Sequence, residues 1–199
     1  MNNIKIKCTK KVKKMPRTDL RVIKTKEALH NSLLELIKDK PLDTISVSEL
    51  CRKAKVNRGT FYFHYDKVED VFEEYFKEIM SDFANSYFEP YRKASMIKIS
   101  ELNPKTIRIF HHIEKYKSFY RIVFSRNAPL TYYYLLFEEI SKLLRNDIQH
   151  VKNIDEDILI AYQTNAILGM IIAWFKGDFQ YDPNYMNQQL VKILNLERN

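Results

Sequence analysis

The chain has 199 residues, 45% of them hydrophobic, which is enough apolar material for one or two packed domains and excludes wholesale disorder. Only 3 glycines and 6 prolines argue against a turn-rich all-β chain and for helices. The net charge of +8 is unevenly spread: residues 1–67 hold 17 Lys and Arg against 7 Asp and Glu, a net +10, while residues 68–199 hold 16 against 18, a net −2. A basic first third joined to a near-neutral remainder fits a polyanion-binding head on a body with another task, with a merely solvated basic surface as the plainer alternative.

The lysines at positions 5, 7, 10, 11, 13 and 14 and Arg17 stand among few apolar residues, so residues 1–17 read as a flexible basic arm, either an idle tail or one that tracks phosphates or a minor groove. From Leu20 to Lys38, the positions Ala28, Leu29, Ser32, Leu33 and Leu36 recur at helical spacing. Pro41 and Asp43-Thr44 end that element. Ser46-Val47-Ser48-Glu49 then fits a capping box opening a second helix, Val47 to Ala54. After a turn through Lys55-Val56, Asn57 is the expected cap of a third helix, Arg58 to Tyr65. Asp66-Lys67-Val68-Glu69 reads as the capped start of a fourth, whose apolar side runs from Val68 to Phe83.

Further helices are expected at 104–114, 116–126, 130–150, 155–176 and 183–197, the last with Asp182 as cap and Pro183 at its first position. The fold class is therefore all-α with about nine helices: an arm (1–17), a helix-turn-helix head (18–66) and a helical body (67–199).

In the head, a helix laid in a major groove would meet base edges with the polar side chains at its start. Arg58 offers two donors to a guanine and Asn57 one contact to base or phosphate. Gly59 removes bulk, and Thr60 and Tyr62 present hydroxyls. Phe61 should face inward, against Leu50 and Val56. Lys67 pairs a cation with the amide-rich start of the fourth helix. Each has a bland counterpart: Asn57 as a cap only, His64 as a packed ring, Arg52, Lys53 and Lys55 as solvated charges.

The segment from Thr44 to Val71, with Ala54-Lys55-Val56 followed by Thr60-Phe61-Tyr62-Phe63-His64-Tyr65 and then Lys67-Val68-Glu69, resembles the signature of the TetR family of DNA-binding regulators. The resemblance implies phosphate-contacting roles for Thr44, Thr60, Tyr62, His64 and Lys67, with Ser46 at the start of the second helix. It makes Asn57, Arg58 and Gly59 the sequence-reading positions. The expected partner is a double-stranded operator.

The middle of the chain is aromatic-rich, and core packing accounts for most of it. If the body holds a ligand cavity, His111, Tyr120 and Tyr133 are the candidates for its lining. The segment through Ala161, Asn165, Leu168, Gly169, Ile172 and Trp174 is apolar nearly all round, as in a helix buried on several faces. In the TetR family the last two long helices pair with their copies in a four-helix interface, which implies a homodimer with Asn165, Leu168, Gly169 and Ile172 at the contact. The Phe119-Tyr120-Arg121, Gly169 and Trp174-Phe175-Lys176 pattern is similar to the Firmicutes-type carboxy-terminal domain of regulators of dihydroxyacetone kinase genes. Such domains need not hold a small molecule, so the effector is left open between a ligand, a protein and neither.

Catalytic, cofactor and metal sites are not expected. His111-His112-x-Glu114 has metal-like composition, but adjacent histidines leave a helix on different faces. Cys8 and Cys51 have neither metal spacing nor a disulfide framework, which favours a reducing compartment. The basic amino terminus lacks the apolar stretch of a secretory signal, and the longest apolar run, Ala166 to Phe175, is short of the ~20 residues of a spanning helix. The expectation is a cytoplasmic regulator without a membrane partner, probed against two rivals: a monomeric helical adaptor for protein or RNA, and an enzyme using the His111 region.

Overall fold

The computed structural model describes residues 20–91, 101–125, 129–145 and 153–196, so the basic arm lies outside the described residues. Among them are nine α-helices and no strand: α1 (Leu20–Ile37), α2 (Val47–Ala54), α3 (Arg58–His64), α4 (Val68–Phe88), α5 (Ile109–Lys115), α6 (Lys117–Val123), α7 (Leu130–Arg145), α8 (Glu156–Lys176) and α9 (Pro183–Leu196). The chain divides into two compact units between Met80 and Ser81, inside α4, which gives residues to both.

In the first unit α1 packs on α2 and α2 on α3. Its core is Leu29, Leu33, Leu50, Phe61, Val71 and Ile79, all 0 or 1% exposed. α4 does not start as its Asp-x-x-Glu pattern suggests. Asp66 is not the acceptor; the Asp70 carboxylate reaches back to the amides of Asp66 and Lys67, at 3.1 and 3.0 Å. An acid in the first turn satisfies the free amides as well as one before it, and it complements the helix dipole.

In the second unit α5 packs on α6 and α9, and α7 lies along α8. The single helix expected at 104–114 is split. Pro104–Thr106 is a 3-10 turn capped by Asn103, whose Oδ1 accepts from the Lys105 amide at 3.0 Å. Ile107 is extended, and α5 begins only at Ile109. The break is held from elsewhere: buried Asn187 on α9 donates through Nδ2 to the Ile107 carbonyl at 3.1 Å.

By length and composition α8 is long and apolar enough to cross a membrane, although its uninterrupted apolar run is shorter. Here it buries Ile160, Thr164, Leu168, Ile171 and Trp174 and exposes another side. The burial is satisfied in detail: Thr164 pairs with Ser141 of α7 at 3.0 Å, and the Trp174 indole donates to the Tyr181 carbonyl at 3.0 Å.

Candidate nucleic-acid interface

Local hydrogen bonds build the α2–turn–α3 segment. Ser46 Oγ accepts from the Glu49 amide at 3.2 Å and opens α2. The Glu49 carboxylate is paired with Lys40; that bond above all, with Arg52 and the Ser46 amide, holds it below the usual carboxylate range. α2 ends in a left-handed Lys55 with φ 55°, whose amide bonds the Arg52 carbonyl while the Val56 amide bonds that of Cys51. These paired bonds close the helix and reverse the chain where a glycine is commoner. Two residues later Asn57 Oδ1 accepts from the Gly59 amide at 2.8 Å and starts α3.

α3 has sharply different sides. Phe61 is fully buried and Tyr65, at its end, is 6% exposed. Arg58, Gly59 and Thr60 are exposed, Tyr62 is half-exposed, and Phe63 is 82% exposed. A Cβ at Gly59 would meet only Asn57 Oδ1, at 3.4 Å, so no packing within the chain demands glycine there. Arg52, Lys53, Lys55 and Lys67 are also exposed, giving this short stretch five cations with Arg58. Such a surface suits a phosphate backbone, and a helix of this width enters a major groove.

A polar clamp ties α1 to α4. Glu74 of α4 accepts from Lys26 Nζ at 2.5 Å and from the Tyr65 hydroxyl. Burial pulls the Glu74 carboxyl up, and these two donors outweigh it and leave it below its ordinary range. His30 is buried beside this pair, 3.8 Å from Glu74, and burial lowers it to about 4. The first helix is thereby fixed under the recognition segment.

Several expected contact residues have local work. The Thr44 hydroxyl donates to the Pro41 carbonyl at 2.7 Å, Ser46 and Asn57 are caps, and His64 is half-buried, edge-on to Phe63 at 4.9 Å. Asp70 takes the Lys67 amide and leaves only the ammonium for a phosphate. The side chains of Arg58, Thr60 and Tyr62 make no such bond, and with Gly59 they are exposed together.

Two family models match this chain. Residues 31–75 match "Bacterial regulatory proteins, tetR family", and residues 100–196 match "Transcriptional regulator C-terminal region". The chain belongs to the TetR family. The two matched regions are those of a DNA-binding transcriptional regulator.

Among curated relatives it is similar to the "Uncharacterized HTH-type transcriptional regulator YxbF" of Bacillus subtilis strain 168, at 20% identity over 84% of this chain. The chain spans 44% of that relative's length. Among solved structures it shares its fold with the "Dihydroxyacetone kinase operon activator DhaS" (TM-score 0.59, 16% identity, 88% of this chain and 96% of that one). The fatty acid degradation regulator FadR from Bacillus halodurans has the same fold (TM-score 0.62, 16% identity, 92% and 96%).

The residues singled out in the body of this TetR-family chain do not gather. His111 lines an open cleft of about 370 Å³ between α4 and α5, with Asp82, Asn85, Arg108, His112 and Lys115. Tyr120 does not line it: it is 1% exposed, with its hydroxyl against His112 Nε2 at 3.0 Å. Tyr133 is on α7 and donates to Asn165 Oδ1 of α8 at 2.6 Å. Tyr120 is buried on α6 and Tyr133 lies on the α7–α8 pair, so of the three only His111 lines this cleft. Of the four residues expected at a dimer contact, Asn165 and Gly169 are exposed and Ile172 is half-buried, but Leu168 is 1% exposed inside its own chain. Leu168 falls four residues after Thr164, on the α8 side that faces the core. Among the described residues no group of three His, Cys, Asp or Glu is placed to hold a metal ion.

Proposed function

We propose that this TetR-family regulator is a cytoplasmic repressor that binds a palindromic operator as a homodimer, tuned by an effector at its second unit. The observation that carries the reading is α3 itself: seven residues long, anchored by a fully buried Phe61 and presenting Arg58, Gly59, Thr60 and Tyr62 outward. Dimerisation is supported by the outer side of α8, where Ile158, Tyr162, Ala166, Gly169 and Ala173 are exposed at helical spacing. Ile193 and Leu196 of α9 are exposed as well, at 45 and 70%. Apolar residues in such rows are what a two-fold partner covers. Two-fold symmetry puts the half-sites one helical turn or a multiple apart. An effector seated in the α4–α5 cleft would touch α4 through Asn85 and α5 through His111.

The test is a gel shift on the DNA upstream of the protein's own gene. Wild type should give a complex of two chains, which Tyr62→Ala and Lys67→Ala weaken. Affinity and salt dependence untouched by both changes would remove α3 and the start of α4 from the interface. Deleting the gene should raise transcription from the bound promoter; a fall would make the protein an activator, as the name of DhaS states for that neighbour.

A further inference from the structure

Phe63 is the most outward-facing residue of α3, and it is apolar. At about 100° per residue, Phe61 and the following Tyr65 place the buried side of the helix, and position 63 falls about 180° from their mean. Exposure agrees: Phe61 is 0% exposed, Tyr65 6% and Phe63 82%. Position 63 stands one turn after position 59 on the same side of the helix. There Gly59 has no side chain, and an added Cβ would meet only Asn57 Oδ1. The middle of the recognition helix is therefore a phenyl ring beside a bare patch of backbone, flanked by Arg58, Thr60 and Tyr62.

A ring of this kind neither donates nor accepts. In a major groove about 12 Å wide the apolar group that base pairs offer is the 5-methyl of thymine, and a helix about 10–12 Å across does not enter a minor groove about 6 Å wide. Resting on the operator-binding reading, the geometry points to Phe63 as a specificity-determining residue that packs on a thymine methyl in each half-site, with Gly59 giving the methyl room beside the ring. The flanking cations place the helix on the phosphates, and Phe63 selects thymine at a position that hydrogen bonds do not read.

The experiment uses the full-length protein and the duplex it protects in a footprint of its upstream DNA, with thymines replaced one at a time by deoxyuridine, which lacks only the methyl. Wild type should lose roughly fourfold in affinity at one thymine per half-site, the worth of one buried methylene-sized group. Phe63→Ala, which removes the ring from both half-sites, should bind the thymine duplex as weakly as wild type binds a duplex with both of those thymines replaced, make thymine and uracil equivalent there, and leave the salt slope unchanged. A wild type indifferent to every replacement overturns the proposal and spares the operator reading. So does a Phe63→Ala protein that still distinguishes thymine from uracil, or one that weakens while wild type is indifferent, since the ring would then rest on sugar or backbone. A wild type that selects no DNA sequence overturns both readings at once.

Discussion

Asp82 Oδ2 lies 2.7 Å from His112 Nδ1, joining α4 to α5 beneath the cleft. A carboxylate only accepts, so Nδ1 carries the proton and Nε2 accepts from the Tyr120 hydroxyl. Burial drives the ring's pKa down to about 4 against the pull of Asp82, and burial likewise pushes the Tyr120 hydroxyl up. The ring is thus neutral in the folded chain at neutral pH, in a fully used chain of bonds.

The second unit should lose stability in mild acid. His112 falls from an ordinary 6.5 to about 4 on folding, so the unfolded chain takes up the proton first as pH drops. Its contribution is complete above pH 6.5 and is lost between 6.5 and 4, about 3 kcal/mol in all. The one tryptophan, Trp174, is 2% exposed in the same unit, so thermal melts followed by its fluorescence report this transition. His112→Gln should flatten the melting temperature across that window; an unchanged slope would mean the acid sensitivity lies elsewhere.

Phe61→Ala and Tyr62→Ala, neighbours on one helix, should both weaken DNA binding, by different routes. Removing the fully buried Phe61 ring leaves a cavity costing about 3–5 kcal/mol, enough to unfold the first unit. Helicity measured by circular dichroism should fall with affinity, while Trp174 fluorescence holds. Tyr62 is 50% exposed, and its loss should lower affinity with helicity intact.

Arg58 and Lys67 should separate selection from attraction. Arg58→Ala is expected to cost about 1–3 kcal/mol on the preferred site and to relax specificity at one base pair. Lys67→Ala should weaken all DNA alike and reduce the salt slope by about 1 per chain. Titrations of specific and random duplexes at several salt concentrations distinguish the two.

Gly169→Arg should split the dimer without unfolding the chain. A Cβ at this position meets nothing within 4 Å, so the substitution is free of clashes in one chain. A glycine inside a helix costs roughly 0.5–1 kcal/mol relative to alanine, so the isolated chain should not melt lower. Light scattering should give a single-chain mass, and operator affinity should drop steeply; an intact dimer would place the interface elsewhere.

The recognition segment was legible in the sequence because its punctuation is local. Ser46 and Asn57 cap the helices they precede, and Phe61 declares its inward side through its spacing from Leu50 and Tyr65. What depended on distant partners was not legible. The start of α4 turns on a carboxylate four residues after Asp66, and the gap before α5 on an asparagine 80 residues away. Tyr120 is buried against His112 and Leu168 within its own chain's core, through contacts that local spacing does not announce. The outward side of Phe63 was legible too, since the helical period that turns Phe61 inward turns position 63 outward.

Each compact unit thus leaves apolar groups in water: one ring at position 63, and a ribbon from Ile158 to Ala173 on α8. If a second copy covers the ribbon and DNA covers the ring, as proposed, a lone chain is an unfinished object. On that reading the ribbon is exposed during synthesis until a second copy reaches it, and the ring is wetted again whenever DNA is released. Expression level and occupancy would then bear on how long the protein survives, since undimerised chains would be the first to aggregate or meet a protease.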